Sequence, residues 1–123
     1  MPSRTRHIEQ AKSNSRFLSA FDLAKTQHPD WAITVAFYTA VHLVEAVFAS
    51  RSPAVHFYKH EDRNSEVSSA LPDISDSYMA MYLAGRRARY FCQDVKPVEA
   101  QLLVAGHYRP VKEKLSAELA TTV

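Results

Sequence analysis

The stretch PDWAITVAFYTAVHLVEAVFAS, residues 29–50, decides the fold of this chain. Drawn as a helix, it carries apolar side chains on most of its circumference, which is typical of a helix surrounded by protein on all sides. Pro29 suits a first helical position, and Asp30 suits the positive end of the helix dipole. The sequence therefore predicts a central helix over residues 30–50, which the remainder of the chain must cover.

The same stretch is long enough to suggest a membrane span. Polar residues interrupt it, and a glutamate and a histidine near its middle would be costly in the hydrocarbon of a bilayer. The first ten residues, MPSRTRHIEQ, also lack the apolar segment of a secretory signal. We therefore expect a buried helix in a soluble cytoplasmic protein that does not associate with a membrane. The interrupting residues are Thr34, Tyr38, Thr39, His42 and Glu45.

The composition of the chain favours helices and a single domain. Its 123 residues suffice for one continuous hydrophobic core, so we treat residues 1–123 as one domain. Only two glycines are present, fewer than a turn-rich all-β protein of this size would need. A net charge of +2 is compatible with an anionic partner without indicating one. Cys92, the single cysteine, excludes an internal disulfide and is interpreted as a small buried residue near a helix end.

The apolar periodicity on either side of the central helix predicts four more helices. Pro110 lies inside the last of them and should kink it near Gly106. The connections are short, so the sequence predicts an all-α fold, an antiparallel bundle of four to five helices. The additional helices are expected at residues 5–25, 61–71, 97–120 and within residues 72–91, where Asp73, Ser75 or Asp76 serves as the cap.

The polar residues of the central helix follow a narrow stripe. Thr34, Tyr38, His42 and Glu45 are spaced by four, four and three residues, so they lie along one helix face. One interpretation is a satisfied network, in which Tyr38 and His42 bond to each other or to neighbouring backbone and Glu45 lies at the rim. The other interpretation is that the stripe lines a site completed by the loop that follows.

That loop, RSPAVHFYKHEDRN at residues 51–64, is rich in groups that bind anions. Folded against the stripe, it would form a polar pocket suited to phosphate, because a helix N-terminus and an arginine both favour an anion. The alternative is a network that locks the loop onto the bundle. The predicted binding pocket consists of Tyr38, His42, His60, Arg63 and Asn64, with Tyr90 as a further candidate.

A metal site in this loop is a weaker alternative. His56 and His60 have the i, i+4 spacing of helical ligands, and Glu61 and Asp62 follow, but Pro53 makes a helix there doubtful. We therefore predict no metal and no cofactor. The remaining histidines, His7, His28 and His107, have no sequence neighbours that suggest chemistry.

The densest basic cluster lies in the fourth predicted helix and just beyond it. A solvated or salt-bridged face is the default interpretation, because net charge is low and no recognition-helix pattern is present. Arg86 and Arg89 are expected to pair with Glu45 or Asp94. The cluster consists of Arg86, Arg87, Arg89 and Lys96.

Four segments, in this order, resemble HEPN domains (higher eukaryotes and prokaryotes nucleotide-binding). AFYTAVHLVEAVFA is similar to the long second helix of that family, and KHEDRN to the histidine-bearing connector after it. YLAGRRARYF resembles the start of the penultimate helix, and VEAQLLVAGHYRPVKEKL the last helix. The ordered match extends over about residues 14–119 and is more specific than any single motif.

The resemblance implies a compact helical bundle, often a homodimer. Many members of the family are metal-independent ribonucleases of toxin–antitoxin, phage-defence or RNA-processing systems, and others bind nucleotides or proteins without catalysis. Catalytic members carry an arginine followed, after four to six residues, by a histidine. Arg51 and His56 have that spacing. Their chemistry would suit RNA cleavage, since histidine can move the 2′-hydroxyl proton and a guanidinium can hold the phosphate.

The place of the pair in the chain argues against catalysis. In the family the arginine is often followed by asparagine at the start of the helix after the connector, where this chain has Arg63 and Asn64. The positions expected to hold the histidine are occupied by Ser68, Ser69 and Ala70. We therefore expect a non-catalytic module that binds RNA, a nucleotide or another protein in a defence or toxin–antitoxin-type system. The alternative is a homodimeric, metal-independent endoribonuclease that uses Arg51 and His56.

Overall fold

The computed structural model describes residues 2–91 and 93–123, and within them it contains helices and no strand. The predicted all-α bundle is confirmed. The prediction for Cys92 concerns a residue outside the described part of the chain. The helices are α1 (Arg4–Ser19), α2 (Pro29–Ala49), α3 (His60–Ala70), α4 (Pro72–Tyr90), α5 (Pro97–Leu103), a π-helical turn (Val104–Tyr108) and α6 (Arg109–Glu118).

The centre of the bundle is α2, as its apolar pattern predicts. It packs against α1, α4, α5 and α6. Alanines at its contact points, such as Ala36 and Ala40, are fully buried and let the neighbouring helices approach closely. The helix is long and apolar enough to cross a membrane by length and composition, and 78% of its most apolar window is buried within the protein.

Phe37 connects α2 to α4 through aromatic contacts. Its ring centroid lies 5.9 Å from those of Tyr78 and Tyr82, and its side chain is fully buried. Burying a phenylalanine side chain stabilises a fold by roughly 1.5–3 kcal/mol. Gly85 of α4 lies directly against this ring, since a Cβ added there would be 3.3 Å from the ring atom Cδ2. The close approach of α4 to α2 therefore depends on a residue without a side chain.

The first helix is shorter than its pattern predicts. We expected it over residues 5–25, but α1 ends at Ser19 and a turn follows. The carboxylate of Asp22 accepts a hydrogen bond from the backbone N–H of Ala24 at 3.1 Å, and its carbonyl accepts one from Thr26 at 2.8 Å. Aspartate side chains that bond to nearby backbone compete with helix formation, which is the physical reason for the early end.

The irregularity predicted near Gly106 takes the form of the π-helical turn. Pro110 has no N–H, and its ring would crowd the carbonyl of Gly106 in a regular α-helix. The wider turn at Val104–Tyr108 comes immediately before this proline and separates α5 from α6. The last predicted helix is thus interrupted, and it ends at Glu118 with Ala120 in the left-handed region, at a φ of 53°.

The connector between α2 and α3 folds back onto the end of α2. The backbone N–H groups of Arg51 and Val55 both donate to the carbonyl of Phe48, at 3.2 and 3.1 Å. The ring of Phe57 packs edge-on against that of Phe48, with centroids 5.2 Å apart. These contacts return the chain to α2, where Arg63 of α3 meets Glu45, while α3 itself packs mainly against α4.

Candidate functional site

A buried ion pair joins α2 to α3. Nε of Arg63 donates to Oε1 of Glu45 at 2.7 Å, and the two residues are only 8% and 2% exposed. The guanidinium atom Nη1 of Arg63 lies 3.0 Å from Nδ1 of His60, which accepts from it because arginine can only donate. Arg63 is therefore already engaged on two sides, and an anion that reached it would have to compete with the Glu45 carboxylate.

Next to this ion pair, two histidines join α1 to α2. Nδ1 of His7 lies 3.0 Å from Nδ1 of His42, so one ring donates and the other accepts. Burial lowers the pKa of His42 to about 4, with further lowering by His7 and Arg63. Burial also lowers the pKa of His7, although Glu45 acts in the opposite direction. Both rings are therefore neutral at physiological pH.

We refer to His7, His42, Glu45, Arg63 and Tyr78 as the buried polar cluster. Tyr78 belongs to it because its pKa is raised by burial and lowered by nearby Arg63, with burial dominating. Its side chain is fully buried, and the phenol stays protonated at any physiological pH. The cluster thus joins α1, α2 and α3 by charged and polar contacts, and Tyr78 adds a buried hydroxyl from α4 that has no hydrogen-bond partner among the described residues.

The stripe predicted on α2 divides among three environments. Thr34 donates from its hydroxyl to the carbonyl of Asp30 at 2.8 Å, which satisfies it within its own helix. His42 and Glu45 belong to the buried polar cluster. Tyr38 lies beside a different residue, Arg89, whose guanidinium carbon is 5.0 Å from the tyrosine ring centroid. Of the two α2 residues predicted for the binding pocket, His42 therefore belongs to the buried polar cluster and Tyr38 does not.

A second feature lies where α4 ends, beside α2 and α3. The guanidinium of Arg89 is 5.5 Å from the ring centroid of Phe37 and 5.1 Å from that of Tyr90. The guanidinium of Arg86 is 5.8 Å from the ring centroid of Tyr82. We refer to the accessible part of this group as the arginine–aromatic surface, which consists of Tyr38, Tyr82, Arg86, Arg89, Tyr90 and Phe91.

The two arginines of this surface do not pair as expected. Glu45 binds Arg63 instead, so the predicted partnership of Glu45 with Arg86 or Arg89 is wrong. Neither arginine forms a salt bridge with any residue in the ranges 2–91 and 93–123. Arg87 does pair, with Glu99 at 2.6 Å, but this pair is more than a third exposed and contributes little.

His60 lies between the buried polar cluster and the arginine–aromatic surface. Its ring centroid is 5.9 Å from that of Phe37 and 5.7 Å from that of Tyr82. Burial lowers the pKa of His60, and the positive charges of Arg63, Arg89 and Arg86 lower it further, in that order. The same three guanidiniums therefore create a positive potential around this half-buried ring.

The remaining residue of the predicted pocket, Asn64, is half-buried on α3. Its side-chain carbonyl oxygen is buried and accepts no hydrogen bond from the described residues. Of the other pocket residues, His60 accepts a hydrogen bond from Arg63, and the positive charge of Arg63 lowers the pKa of His42. Tyr38 does not contact them directly, but its ring lies beside Arg89, and the neighbouring Phe37 packs against His60. The pocket as a ligand site stays a prediction.

Arg51 and His56 have different surroundings within one chain. Arg51 is exposed, with its guanidinium 4.6 Å above the ring of Phe48, and it lines a shallow groove with Arg4 and Glu118. His56 is half-buried, and its proximity contributes to the lowered pKa of His7. Its Nδ1 is buried and has no hydrogen-bond partner among the described residues. Their joint catalytic use stays a prediction.

The metal alternative has no support in the geometry. Within residues 2–91 and 93–123, no group of three or more histidine, cysteine, aspartate or glutamate side chains is arranged to hold a metal ion. His60 is engaged with Arg63, and Glu61 and Asp62 are exposed in the first turn of α3. Acidic residues there interact favourably with the helix dipole, which accounts for them without a metal.

Sequence reasoning missed His7, the residue of α1 that forms a hydrogen bond with His42 in the buried polar cluster. The signal was present, because His7 lies one turn before Ala11 and next to Ile8 on the apolar face of α1. A histidine on a buried helix face requires a polar partner, and the stripe on α2 supplies it. Only the packing of α1 on α2 identifies that partner as His42.

Comparisons with known proteins leave the family of the chain open. No protein-family model, no curated protein and no solved structure matches it. The resemblance to HEPN domains therefore depends on the four sequence segments described above and on the all-α fold, which many unrelated functions share.

Proposed function

We propose that this chain is an HEPN-like helical module that binds RNA or a nucleotide without cleaving it, at the arginine–aromatic surface and His60. The observation that carries the proposal is the pairing of Arg86 and Arg89 with half-buried and exposed aromatic rings rather than with carboxylates. Arginine binds phosphate, and aromatic rings stack on unpaired bases. Arginines and aromatic rings alternate at this surface, as phosphates and bases alternate along a nucleic-acid strand.

The arrangement of Arg89 supports a binding role over a purely structural one. Its Nε and Nη1 are buried without an acceptor among the described residues, and a Cβ added to Gly85 would be only 2.9 Å from Nη1. Leaving a buried donor unpaired costs about 1–3 kcal/mol. In return the guanidinium is held in a fixed position over three rings, and Nη2, which is not among these buried atoms, is the nitrogen that an anion would reach with little loss of entropy.

The exposure of the rings also suits this ligand. Tyr90 is 64% and Phe91 is 53% exposed, although large aromatic side chains are usually mostly buried. Exposed rings beside arginines are characteristic of proteins that bind single-stranded nucleic acid, where each stacked base contributes roughly 1–3 kcal/mol. A formal net charge of +2 adds only a modest general attraction, so most of the affinity would come from this surface.

The engagement of Arg63 supports a non-catalytic role for this module. The sequence places Arg63 and Asn64 where catalytic members of the family have their arginine, and here that guanidinium is bound by Glu45 and His60. It is therefore not available to stabilise charge on a phosphate. A homodimer and a place in a toxin–antitoxin or phage-defence system complete the proposal, and they rest on the resemblance alone.

The proposal is tested by fluorescence anisotropy with a labelled, unstructured RNA of about ten nucleotides and with labelled ATP. We expect salt-dependent binding of at least one probe and a loss of at least tenfold in affinity in the double variant Arg86→Gln/Arg89→Gln. Arg16→Gln/Arg109→Gln is the matched control, because it removes the same charge from exposed positions elsewhere. Equal affinity of the two double variants would refute the proposed surface.

A ribonuclease remains the second candidate because Nδ1 of His56 is buried without a partner and could serve as a base or acid. This candidate predicts RNA cleavage that persists in EDTA and disappears in His56→Ala and Arg51→Ala. Such cleavage would replace the non-catalytic proposal. RNA that stays intact in the presence of bound protein excludes the ribonuclease.

A further inference from the structure

The central helix α2 reaches solvent along one narrow strip. From Trp31 to Phe48, the residues that are not buried are Trp31, Val35, Tyr38 and His42, and we refer to these four as the α2 strip. Their spacing of four, three and four residues places them on one helix face. The solvent-facing side of a helix usually carries charged and polar residues. Here it carries two large aromatic side chains and no charged one, which indicates a contact surface.

The α2 strip connects α1 to the arginine–aromatic surface. At one end, Trp31 lines a groove together with Phe17 of α1. Further along, the ring centroid of Tyr38 lies 5.0 Å from the guanidinium carbon of Arg89 on α4. Tyr38 therefore belongs both to the strip and to the arginine–aromatic surface, so the two features form one continuous surface.

The groove at the Trp31 end is built from rings. It is shallow, has a volume of about 340 Å³ and is lined by Phe17, Phe21, His28 and Trp31. Phe17 is 56% and Trp31 is 58% exposed, and the ring of Phe17 packs edge-on against that of Phe21, with centroids 5.4 Å apart. None of the four lining residues is acidic, so they carry no carboxylate that would repel a phosphate. A flat aromatic ligand can stack in this groove without meeting a negative charge.

The distance along the strip matches a short piece of nucleic acid. Trp31 and Tyr38 are seven residues apart, which corresponds to about 10 Å along the helix axis. Consecutive nucleotides of a stacked strand are about 3.4 Å apart. About three nucleotide steps therefore separate a base at Trp31 from a phosphate at Arg89. A mononucleotide is too short to occupy both places, whereas a strand of several nucleotides can.

We infer that the ligand of the arginine–aromatic surface is a single RNA strand of several nucleotides, whose bases continue along the α2 strip and stack in the groove of Trp31 and Phe17. This inference rests on the proposed function and adds to it the class of ligand, a strand rather than a mononucleotide, and a second subsite. Arg86 and Arg89 bind phosphates at one end, and the exposed rings bind a base at the other. The continuity of the groove with these arginines, which bind no carboxylate of the described residues, favours RNA over an apolar protein partner.

The fluorescence of Trp31, the single tryptophan, reports directly on the second subsite. We expect an unlabelled RNA of about six nucleotides to quench it, because the strand is long enough to stack a base on the indole ring. Labelled RNA of the same length measures binding independently by anisotropy. Binding without quenching would overturn the inference and leave the proposed function intact. If anisotropy showed no binding of RNA, the proposed function and the inference would both fail.

Variants test the subsite by its effect on the length dependence of binding. The six-nucleotide RNA should bind at least fivefold more tightly than a dinucleotide, which reaches only one end of the strip. Trp31→Ala and, as a second variant, Phe17→Ala should each remove most of this advantage. Tyr58→Ala is the matched control, because it removes an exposed ring from the connector, and it should keep the advantage.

Two results would overturn the inference at this stage. One is an equal length dependence in Trp31→Ala, Phe17→Ala and Tyr58→Ala. The other is self-association of the unmodified protein, measured by analytical ultracentrifugation, that Trp31→Ala abolishes without a change in RNA affinity. The second result would assign the groove to another copy of the chain.

Discussion

Glu45 and Arg63 form a buried ion pair although they are 18 residues apart in the chain, with Nε of the arginine 2.7 Å from Oε1 of the glutamate. The pair exists because the connector folds back on Phe48 and presents the first turn of α3 to the last turns of α2. Two charges that are removed from water stabilise a fold only together, since either one alone is costly to bury.

Removal of one partner should therefore destabilise the protein strongly. We expect Glu45→Ala to lower the free energy of unfolding by about 3–5 kcal/mol, because Arg63 is left buried without a counter-charge. The double variant Glu45→Leu/Arg63→Met, which removes both charges and keeps the volume, should lose much less. Urea denaturation monitored by circular dichroism measures both. A double variant less stable than Glu45→Ala would contradict this account of the pair.

The histidines of the buried polar cluster predict the pH dependence of stability. The pKa of His42 is about 4 in the folded protein and 6.5 when unfolded, so between these values the unfolded state binds more protons. Stability should be at its plateau above pH 6.5 and should decline as pH falls toward 4, by on the order of 3 kcal/mol from this group. His42→Gln should flatten the profile measured by urea denaturation. If the free energy of unfolding of that variant still fell with pH as in the unmodified protein, a group other than His42 would be responsible.

Ala120 offers a simple stabilising substitution. Its φ of 53° is in the left-handed region, where a Cβ is crowded and glycine is preferred after a helix. We expect Ala120→Gly to raise the free energy of unfolding by roughly 0.5–1 kcal/mol. Calorimetry should show a higher melting temperature than for Ala117→Gly, the control inside α6, which should lower it.

Gly85 connects packing to the proposed function. A Cβ at this position would meet Nη1 of Arg89 at 2.9 Å and the ring of Phe37 at 3.3 Å. The end of the arginine can move more easily than the buried ring, so Gly85→Ala should displace Arg89 while the fold is kept. We expect RNA affinity to fall several-fold in the anisotropy assay, with native circular dichroism. Ala84→Gly, the neighbouring control, should leave the affinity unchanged; an equal fall there would point to helix stability instead.

The sequence predicted what depends on local pattern. The apolar circumference of residues 29–50 identified the central helix, and Pro110 identified the irregular turn near Gly106. The early end of α1 was missed because Asp22 satisfies neighbouring backbone groups, an interaction that apolar periodicity does not register. The partners of Glu45 and His42 were missed because they depend on how the connector and α1 pack on α2, contacts that are 18 and 35 residues apart.

The central claim, that the arginine–aromatic surface binds unpaired nucleic acid, is tested most directly by an NMR titration of the ¹⁵N-labelled protein with a short unstructured RNA. The account predicts salt-dependent shifts that concentrate on the amide signals of His60, Arg86, Arg89 and Tyr90. Shifts that are absent, or that concentrate instead around Arg51 and Phe48, would contradict it.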